Sequence, residues 1–368
     1  MYLCRLFPIE NKAVFMSFFG KSYSDNPRAI YEEMLNENID MKYIWLMKED
    51  SVKIPNAIVV KPLSFRGLFH QATARLWIDN CRKSAWIVKR KGQYYIQTWH
   101  GGIGVKKAEK DTENVLSMEY IAGAKHDSEM ANLFVSGSKW NTDKYRRSFW
   151  YSGEIIESGL PRSDVFYKEV ERTDETIRKL YTIDDLDKII LYAPTFRADG
   201  GIDCYKMDFD RLIRAAQEKW GGRWKVMVRL HPNLLGMDKK MRYSKDVINV
   251  SNYPDINELI SICDILITDY SSCMFDALNI EKNVILYAID IEEYRRDRDT
   301  YFSMNSLPFP LAKDEDELIE IILNFNEENY VDQINNFKKE YRIFDDGRAS
   351  ERIVEKIRKE LKIEPRSS

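Results

Sequence analysis

Twelve short apolar runs, separated for most of the chain by polar or helix-patterned stretches, constrain the fold more than any single residue does. In the first half they cover 13–19, 43–47, 57–60, 75–79, 94–99, 133–136 and 155–158; in the second, 188–193, 224–230, 247–250, 264–268 and 283–287. Segments 27–36, 64–74, 209–219 and 256–262 between them have helical spacing, with Ser64 in an N-cap position. Strands that alternate with helices pair in parallel, because each crossover helix packs back onto its sheet. The expected fold class is α/β, with two doubly wound, Rossmann-like domains and a cleft between them. The polar stretch 167–187 is read as the linker, so the domains are expected at 1–170 and 171–340. A C-terminal helical region, 341–368, ends in an amphipathic segment with Ile353, Val354, Ile357 and Leu361 on one face. It is expected to pack back across the cleft.

Composition narrows the function classes. At 368 residues, 44% hydrophobic and 31% charged, with 11 Pro, 16 Gly and no low-complexity tract, the chain is excluded from the disordered and collagen-like classes. The five cysteines, Cys4, Cys81, Cys204, Cys263 and Cys273, form no CxxC and are odd in number, so all are expected to be reduced. The four histidines, His70, His100, His126 and His231, show no HxH or HxxxH spacing, and no metal site is expected. No apolar run reaches the roughly 18 residues of a membrane span, and the start lacks a secretory pattern, so a cytoplasmic location is expected. A net charge of −3 argues against a nucleic-acid binder. Residues 1–160 nevertheless carry 23 Lys+Arg against 18 Asp+Glu. Arg82-Lys83, Lys89-Arg90-Lys91, Lys106-Lys107 and Arg146-Arg147 could face an anionic membrane or polyanion.

Open α/β sheets bind ligands at the carboxyl ends of their strands, and four motifs fall there. Gln97-Thr98-Trp99-His100-Gly101-Gly102 follows an apolar run; its imidazole can take a proton near neutral pH, and its glycines let the backbone approach a ligand. Arg229-Leu230-His231-Pro232 ends another run with a guanidinium suited to phosphate and a second imidazole. Thr268-Asp269-Tyr270-Ser271-Ser272 joins a strand to a helix start, where amides and hydroxyls can meet an anion. Tyr192-Ala193-Pro194-Thr195-Phe196-Arg197 closes a further strand with a hydroxyl and a cation. Each alone is as compatible with a turn, a cap or an ion pair as with chemistry; the four together point to a phosphate donor site and a base.

These motifs, with Gly159-Leu160-Pro161-Arg162-Ser163-Asp164, Asp276 and Phe344-Asp345-Asp346-Gly347-Arg348-Ala349-Ser350, resemble the CDP-glycerol:poly(glycerophosphate) glycerophosphotransferase family from about residue 10 to 355. The resemblance implies a GT-B type fold, an acceptor-side first domain and a donor-binding second. It implies transfer of a polyol phosphate, glycerol phosphate first, from a CDP-polyol to a hydroxyl of a lipid-linked saccharide or growing polymer, releasing CMP, in teichoic acid or capsule synthesis. His100 is then the base, and His231 a second catalytic residue and donor ligand. Arg229, Ser271, Ser272, Thr195, Arg197, Asp269 and Asp276 become donor-site candidates, and Gly101 and Gly102 points of backbone approach. The family's usual Thr after His-Gly is Gly102 here. No tightly bound cofactor is implied; Mg2+ is compatible with the donor but not required.

The implied partners are CDP-glycerol or CDP-ribitol, the acceptor and an anionic membrane surface, with no nucleic acid. A peripheral position on the inner face of the membrane would use Phe65, Leu68 and Phe69 against lipid, with Arg66 and Arg75 at the head groups. A separate N-terminal targeting domain, present in longer polymerases, is expected to be missing. A nucleotide-sugar GT-B glycosyltransferase is the alternative enzyme, and a polyanion-binding module the non-enzymatic one.

Overall fold

In the computed structural model, which describes residues 2–197, 205, 207–230, 241, 243–297 and 299–363, the chain forms two compact units. Unit 1 takes the chain up to Gly102, Ala108–Asp164 and the segment from Ile343 onward; unit 2 takes Ile103–Lys107 and Val165–Arg342.

Unit 1 is built on seven strands: β1 (Glu10–Met16), β2 (Lys42–Leu46), β3 (Ala57–Val60), β4 (Ala74–Asp79), β5 (Tyr94–Gln97), β6 (Leu133–Ser136) and β7 (Glu154–Glu157). All pair in parallel, in the order β3-β2-β1-β4-β5-β6-β7. Because β1 lies between β2 and β4, the chain winds outward in both directions from it, and the turns after β1 and β4 diverge at the sheet's carboxyl edge. Helices α1 (Asp25–Asn36), α2 (Phe65–Thr73), α3 (Met118–Met130) and α4 (Lys139–Ser148) make the connections. Apolar side chains on both faces of β1 leave Ala13, Val14 and Phe15 fully buried, the pattern a central parallel strand requires. Phe15 stacks on Trp45 at 5.4 Å, with the Tyr31 ring edge-on to both.

Unit 2 repeats the winding with β8 (Asp187–Tyr192), β9 (Arg223–Val228), β10 (Val247–Asn249), β11 (Ile265–Thr268), β12 (Asn283–Tyr287) and β13 (Leu311–Ala312), in the order β10-β9-β8-β11-β12-β13, again all parallel. Its helices are α5 (Val170–Tyr181), α6 (Phe209–Trp220), α7 (Ile256–Ile262), α8 (Cys273–Asn279), α9 (Ile291–Asp297), α10 (Glu315–Leu323) and α11 (Glu327–Tyr341). The stretch read as a linker holds α5. Only Ile177 of that helix is buried, too little apolar surface to leave a stripe in the sequence.

The last helix, α12 (Ala349–Leu361), belongs to unit 1: Ile353, Val354, Ile357 and Leu361 sit in the same core as Phe15 and Trp45. Its N-terminus is held by Asp164, whose two carboxylate oxygens accept from the Ala349 N–H at 2.9 Å and the Ser350 N–H at 2.8 Å. These are orphan donors of the first turn, and the negative charge faces the positive end of the helix dipole.

Several charges change meaning. Arg82 and Lys83, read as a basic surface, are buried. Arg82 pairs with Glu109 at 2.8 Å and Asp127 at 3.2 Å, and Lys83 with Asp79 at 2.9 Å. Arg75 donates to the Leu361 carbonyl rather than facing outward, and Phe69 packs against Phe7 at 5.3 Å. The exposed apolar surface of this region comprises Phe65 with Leu63, Leu3, Leu6 and Phe7, where the 3-10 turn Tyr2–Leu6 packs on α2. Cys4, Cys81, Cys263 and Cys273 are buried free thiols. Cys204 lies outside the described residues. Among those residues no helix is long and apolar enough to cross a membrane.

Asp164→Ala removes two charge-assisted hydrogen bonds from a buried helix start. It is expected to destabilise unit 1 by about 2–4 kcal/mol, read as a shift in the urea unfolding midpoint followed by tryptophan fluorescence. A midpoint unchanged from the parent would show that α12 does not depend on this cap.

Candidate active site

His100 lies three residues beyond β5, next to the diverging turns after β1 and β4. Trp99, with φ at 53°, reverses the chain; its N–H donates to Gln97 Oε1 at 2.9 Å and its ring stacks on the His100 imidazole at 4.5 Å. His100 Nδ1 is 2.8 Å from the Asn80 carbonyl, and Asn80 Oδ1 in turn accepts from the Phe18 N–H at 2.8 Å. A carbonyl can only accept, so Nδ1 carries the proton and Nε2 keeps its lone pair. Burial pushes the imidazole below its ordinary 6.5, against the raising effects of the Asn80 hydrogen bond and the Asp25 charge. The ring is therefore neutral at pH 7, with a base nitrogen free to take a proton.

Segment Gly159–Asp164 fixes the other side of this loop. Gly159 has φ at 83° and passes close to Ala349, a position in the left-handed region. The Leu160 side chain fills the space that side chains at Gly102 and Gly137 would take: a Cβ added there would come within 2.9 and 2.7 Å of it. Arg162, 8% exposed, donates to the His100 carbonyl at 2.8 Å and pairs with Asp25 at 3.2 Å, while its own N–H donates to Asn26 Oδ1 at 3.0 Å. Asn26 Nδ2 completes the ring by donating to the Trp99 carbonyl at 3.0 Å.

Beneath Gly101 and Gly102 lies a residue that sequence reasoning missed. Lys144, on α4, is 5% exposed and donates to the Gly102 carbonyl at 3.0 Å, with Trp140 and Tyr145 rings around it. Burial, with Arg147 and Arg162 adding repulsion and Asp111 opposing, pulls its ammonium down to about 7. Nothing in the polar run 139–148 marks this lysine apart from its neighbours; only the fold shows that it points inward.

In unit 2 the candidates gather where β8 and β11 lie side by side. Asp269, 2% exposed, accepts from the Thr195 N–H at 2.8 Å, the Tyr270 N–H at 2.6 Å and Arg197 Nη2 at 2.8 Å. Arg197 also binds Asp290 through Nε at 2.6 Å and Nη2 at 3.0 Å, and Nη1 donates to the Thr195 carbonyl at 2.6 Å. Its guanidinium is a strut that joins two turns, and Asp290 is a second residue the sequence did not single out. The Thr195 hydroxyl is buried and has no hydrogen-bond partner among the described residues. Arg229, directly after β9, donates its backbone N–H to the Tyr192 carbonyl at 2.9 Å; among the described residues its guanidinium makes one 3.4 Å bond, to the Tyr253 carbonyl, its Nε is buried without a partner, and Asp255 acts on it as a charge without forming an ion pair. Ser271 and Ser272 are half-buried at the start of α8, where the Ser271 hydroxyl accepts weakly from Cys273 N–H at 3.5 Å. Asp276 is buried in the first turn of α8. His231 lies outside the described residues. Among those described, no group of three His, Cys, Asp or Glu side chains could hold a metal ion.

Known proteins give this geometry a context. The chain is 32% identical over 373 residues to the teichoic acid poly(glycerol phosphate) polymerase of Bacillus subtilis strain 168, covering 95% of this chain but 49% of that protein, about half its length. It is 31% identical to the teichoic acid glycerol-phosphate transferase of Staphylococcus aureus NCTC 8325, covering 95% and 93%. The teichoic acid ribitol-phosphate primase of Bacillus spizizenii W23 is also 31% identical, covering 96% and 93%. The solved structure of the wall teichoic acid polymerase TagF superposes with a TM-score of 0.86 at 29% identity, covering 98% of this chain and 92% of that one. The two parallel sheets with flanking helices are thus a fold of the GT-B type. With residues 2–359 matching the family described as CDP-Glycerol:Poly(glycerophosphate) glycerophosphotransferase, the chain belongs to that family of transferases.

Proposed function

We propose that this protein transfers glycerol phosphate from CDP-glycerol to a hydroxyl of a lipid-linked saccharide or growing teichoic acid polymer, with His100 as the base. One observation carries the reading: His100 is held as a neutral imidazole with Nδ1–H on the Asn80 carbonyl, so that Nε2 is presented as a proton acceptor. The acceptor hydroxyl gives its proton to Nε2 as its oxygen bonds to the β-phosphorus of the donor. The bond from that phosphorus to the bridging oxygen breaks, and CMP leaves with the electron pair. Such a transfer needs positioning and charge neutralisation more than covalent chemistry. Arg229 supports the donor end: among the described residues its guanidinium forms no ion pair, the Asp255 charge acting on it without pairing, and such a fork suits a diphosphate. Ser271, Ser272 and the unpartnered Thr195 hydroxyl add donors in the same unit. Arg197, Asp269 and Asp290 hold the turns that carry them. His231 remains a second donor ligand in this proposal, and Asp276 a supporting residue. Mg2+ would enter with the donor phosphates.

We further propose that unit 1 meets an anionic bilayer through Leu3, Leu6, Phe7, Leu63 and Phe65, with Arg66 at the head groups. Exposed leucine and phenylalanine beside a cation is the pairing such a surface requires. The protein should float with anionic vesicles, and Leu6→Asp with Phe65→Asp should stay at the bottom of the gradient; equal flotation of both would remove this surface.

His100→Ala is expected to lower CMP release about 100- to 10,000-fold, the range for loss of a general base, while CDP-glycerol binding stays near the parent value. Arg229→Gln is expected to do the reverse and raise the donor KM. Steady-state kinetics with CDP-glycerol and CDP-ribitol, together with calorimetric binding, check both. Loss of donor affinity in His100→Ala with normal residual turnover would contradict the assignment, and CMP from CDP-ribitol alone would change the polyol.

The pH profile tests the tautomer argument. A base whose proton affinity is lowered by burial stays unprotonated to more acid pH, so the acid limb of kcat/KM should fall below pH 6.5, the ordinary histidine value. A limb at or above 6.5 would mean that His100 is stabilised as imidazolium, contrary to its surroundings.

A further inference from the structure

Four successive backbone carbonyls around His100 are each held by a side-chain donor. The Trp99 carbonyl accepts from Asn26 Nδ2 at 3.0 Å, His100 from Arg162 Nη1 at 2.8 Å, Gly101 from the Tyr145 hydroxyl at 3.4 Å, and Gly102 from Lys144 Nζ at 3.0 Å. Every peptide here is trans, so each N–H points away from the group that holds the carbonyl of the same peptide. The N–H groups of His100, Gly101 and Gly102 are thereby turned from these donors, and none has an acceptor among the described residues. A side chain added at Gly101 would meet nothing closer than the Trp99 ring at 3.9 Å, so the backbone is open at that residue, while Gly102 beside it is buried against Leu160.

The charge beneath the loop points the same way. Lys12, Arg82, Lys83 and Arg162, the other buried cations of unit 1, each lie within 3.2 Å of a carboxylate. Lys144 has no such partner among the described residues; the charges acting on it are Arg147 and Arg162, which repel it, and Asp111. A buried cation without a counter-ion destabilises a fold, and is retained where something else supplies the negative charge.

We propose that the amides of His100, Gly101 and Gly102 form an anion hole for an oxygen of the transferring phosphoryl group, and that Asn26, Arg162, Tyr145 and Lys144 are its positioning residues. This rests on the reading that a phosphoryl group comes to His100. As the acceptor oxygen gives up its proton to Nε2, charge spreads over the equatorial phosphoryl oxygens, and fixed amide donors stabilise it without reorganising. Lys144 adds a positive charge behind the hole and fixes the Gly102 peptide. Gly102 suits this place because a side chain there would have to displace the end of Leu160.

The test pairs a binding readout with turnover. In protein labelled with 15N-glycine, the Gly101 and Gly102 amide resonances, assigned by their loss in Gly101→Ala and Gly102→Ala, should shift saturably with inorganic phosphate. The shift should shrink in Lys144→Met. In CMP release from CDP-glycerol, Lys144→Met should lower kcat at least about tenfold, a fraction of the loss seen when an oxyanion donor is deleted, with donor KM little changed. Lys144→Arg should restore part of it. The Lys144→Met melting temperature should equal or exceed the parent's, since a buried unpaired charge is gone; a merely structural lysine would lower it and leave kcat alone. Unmoved glycine resonances in a folded protein that turns over, or an unchanged kcat in Lys144→Met, would overturn the proposal. Glycine shifts without CMP from any CDP-polyol would leave the anion hole standing and overturn the reaction assigned above.

Discussion

The buried ion pair between Arg162 and Asp25 is the contact on which the conformation of the His100 loop depends. It joins the segment after β7 to the start of α1 at 3.2 Å, and the same guanidinium reaches the His100 carbonyl at 2.8 Å. Asp25 stands at a φ of 63°, a conformation a non-glycine residue holds only when its surroundings determine it. Losing one partner would leave the other charge buried with its ion pair broken, which costs about 3–5 kcal/mol in buried pairs. Two residues on, Asp164 caps α12, whose apolar face completes the core beneath β1. Six residues thus tie the His100 loop, the first helix and the last helix together, which accounts physically for the Gly-Leu-Pro-Arg-Ser-Asp motif.

Both sheets put a carboxylate to the same use at the same topological place. The strand that joins the central one on its far side is β4 in unit 1 and β11 in unit 2. At their carboxyl ends stand Asp79 and Asp269. Asp79 accepts from the Cys81 N–H at 3.0 Å and from Lys83 at 2.9 Å; Asp269 accepts from two backbone N–H groups and Arg197. Turns at a switch point leave backbone donors that no strand satisfies, and a buried carboxylate that gathers them with a cation is one stable solution. These cations are held in ion pairs, whereas Lys144 and Arg229 form no ion pair with a carboxylate among the described residues, which is why they are the cations proposed to meet anions.

The strands were legible because a central parallel strand is apolar on both faces. All twelve runs correspond to strands, and only the two-residue edge strand β13 left no signal. Helices 209–219, 256–262 and 349–361 were legible from their apolar period, but α5 was not, with one buried residue to show. Among site residues, His100 and Arg229 could be found because they follow strands. Asn26, Asp25, Lys144 and Asp290 could not: they lie outside the strand-end motifs, and polar side chains are spaced alike whether they face water or a loop carbonyl. The same blindness made Arg82 and Lys83 read as surface charge, though each is buried against carboxylates far apart or one turn away.

The lowered proton affinity of His100 and that of Lys144 have a common origin and opposite uses. Both follow from taking a charge out of water beneath the same loop, with Arg162 repelling each. For the imidazole the result is a ring that is neutral at pH 7, as the proposed base has to be. For the ammonium the result is a charge held near its point of loss, which an anion on the proposed amides would stabilise. The same exclusion of water acts on both groups, so their two proton affinities cannot be tuned independently. The burial of this loop, set by Leu160, Trp99 and α4, therefore lowers the proton affinity of both groups together, and any base or anion role proposed for one is tied to the other.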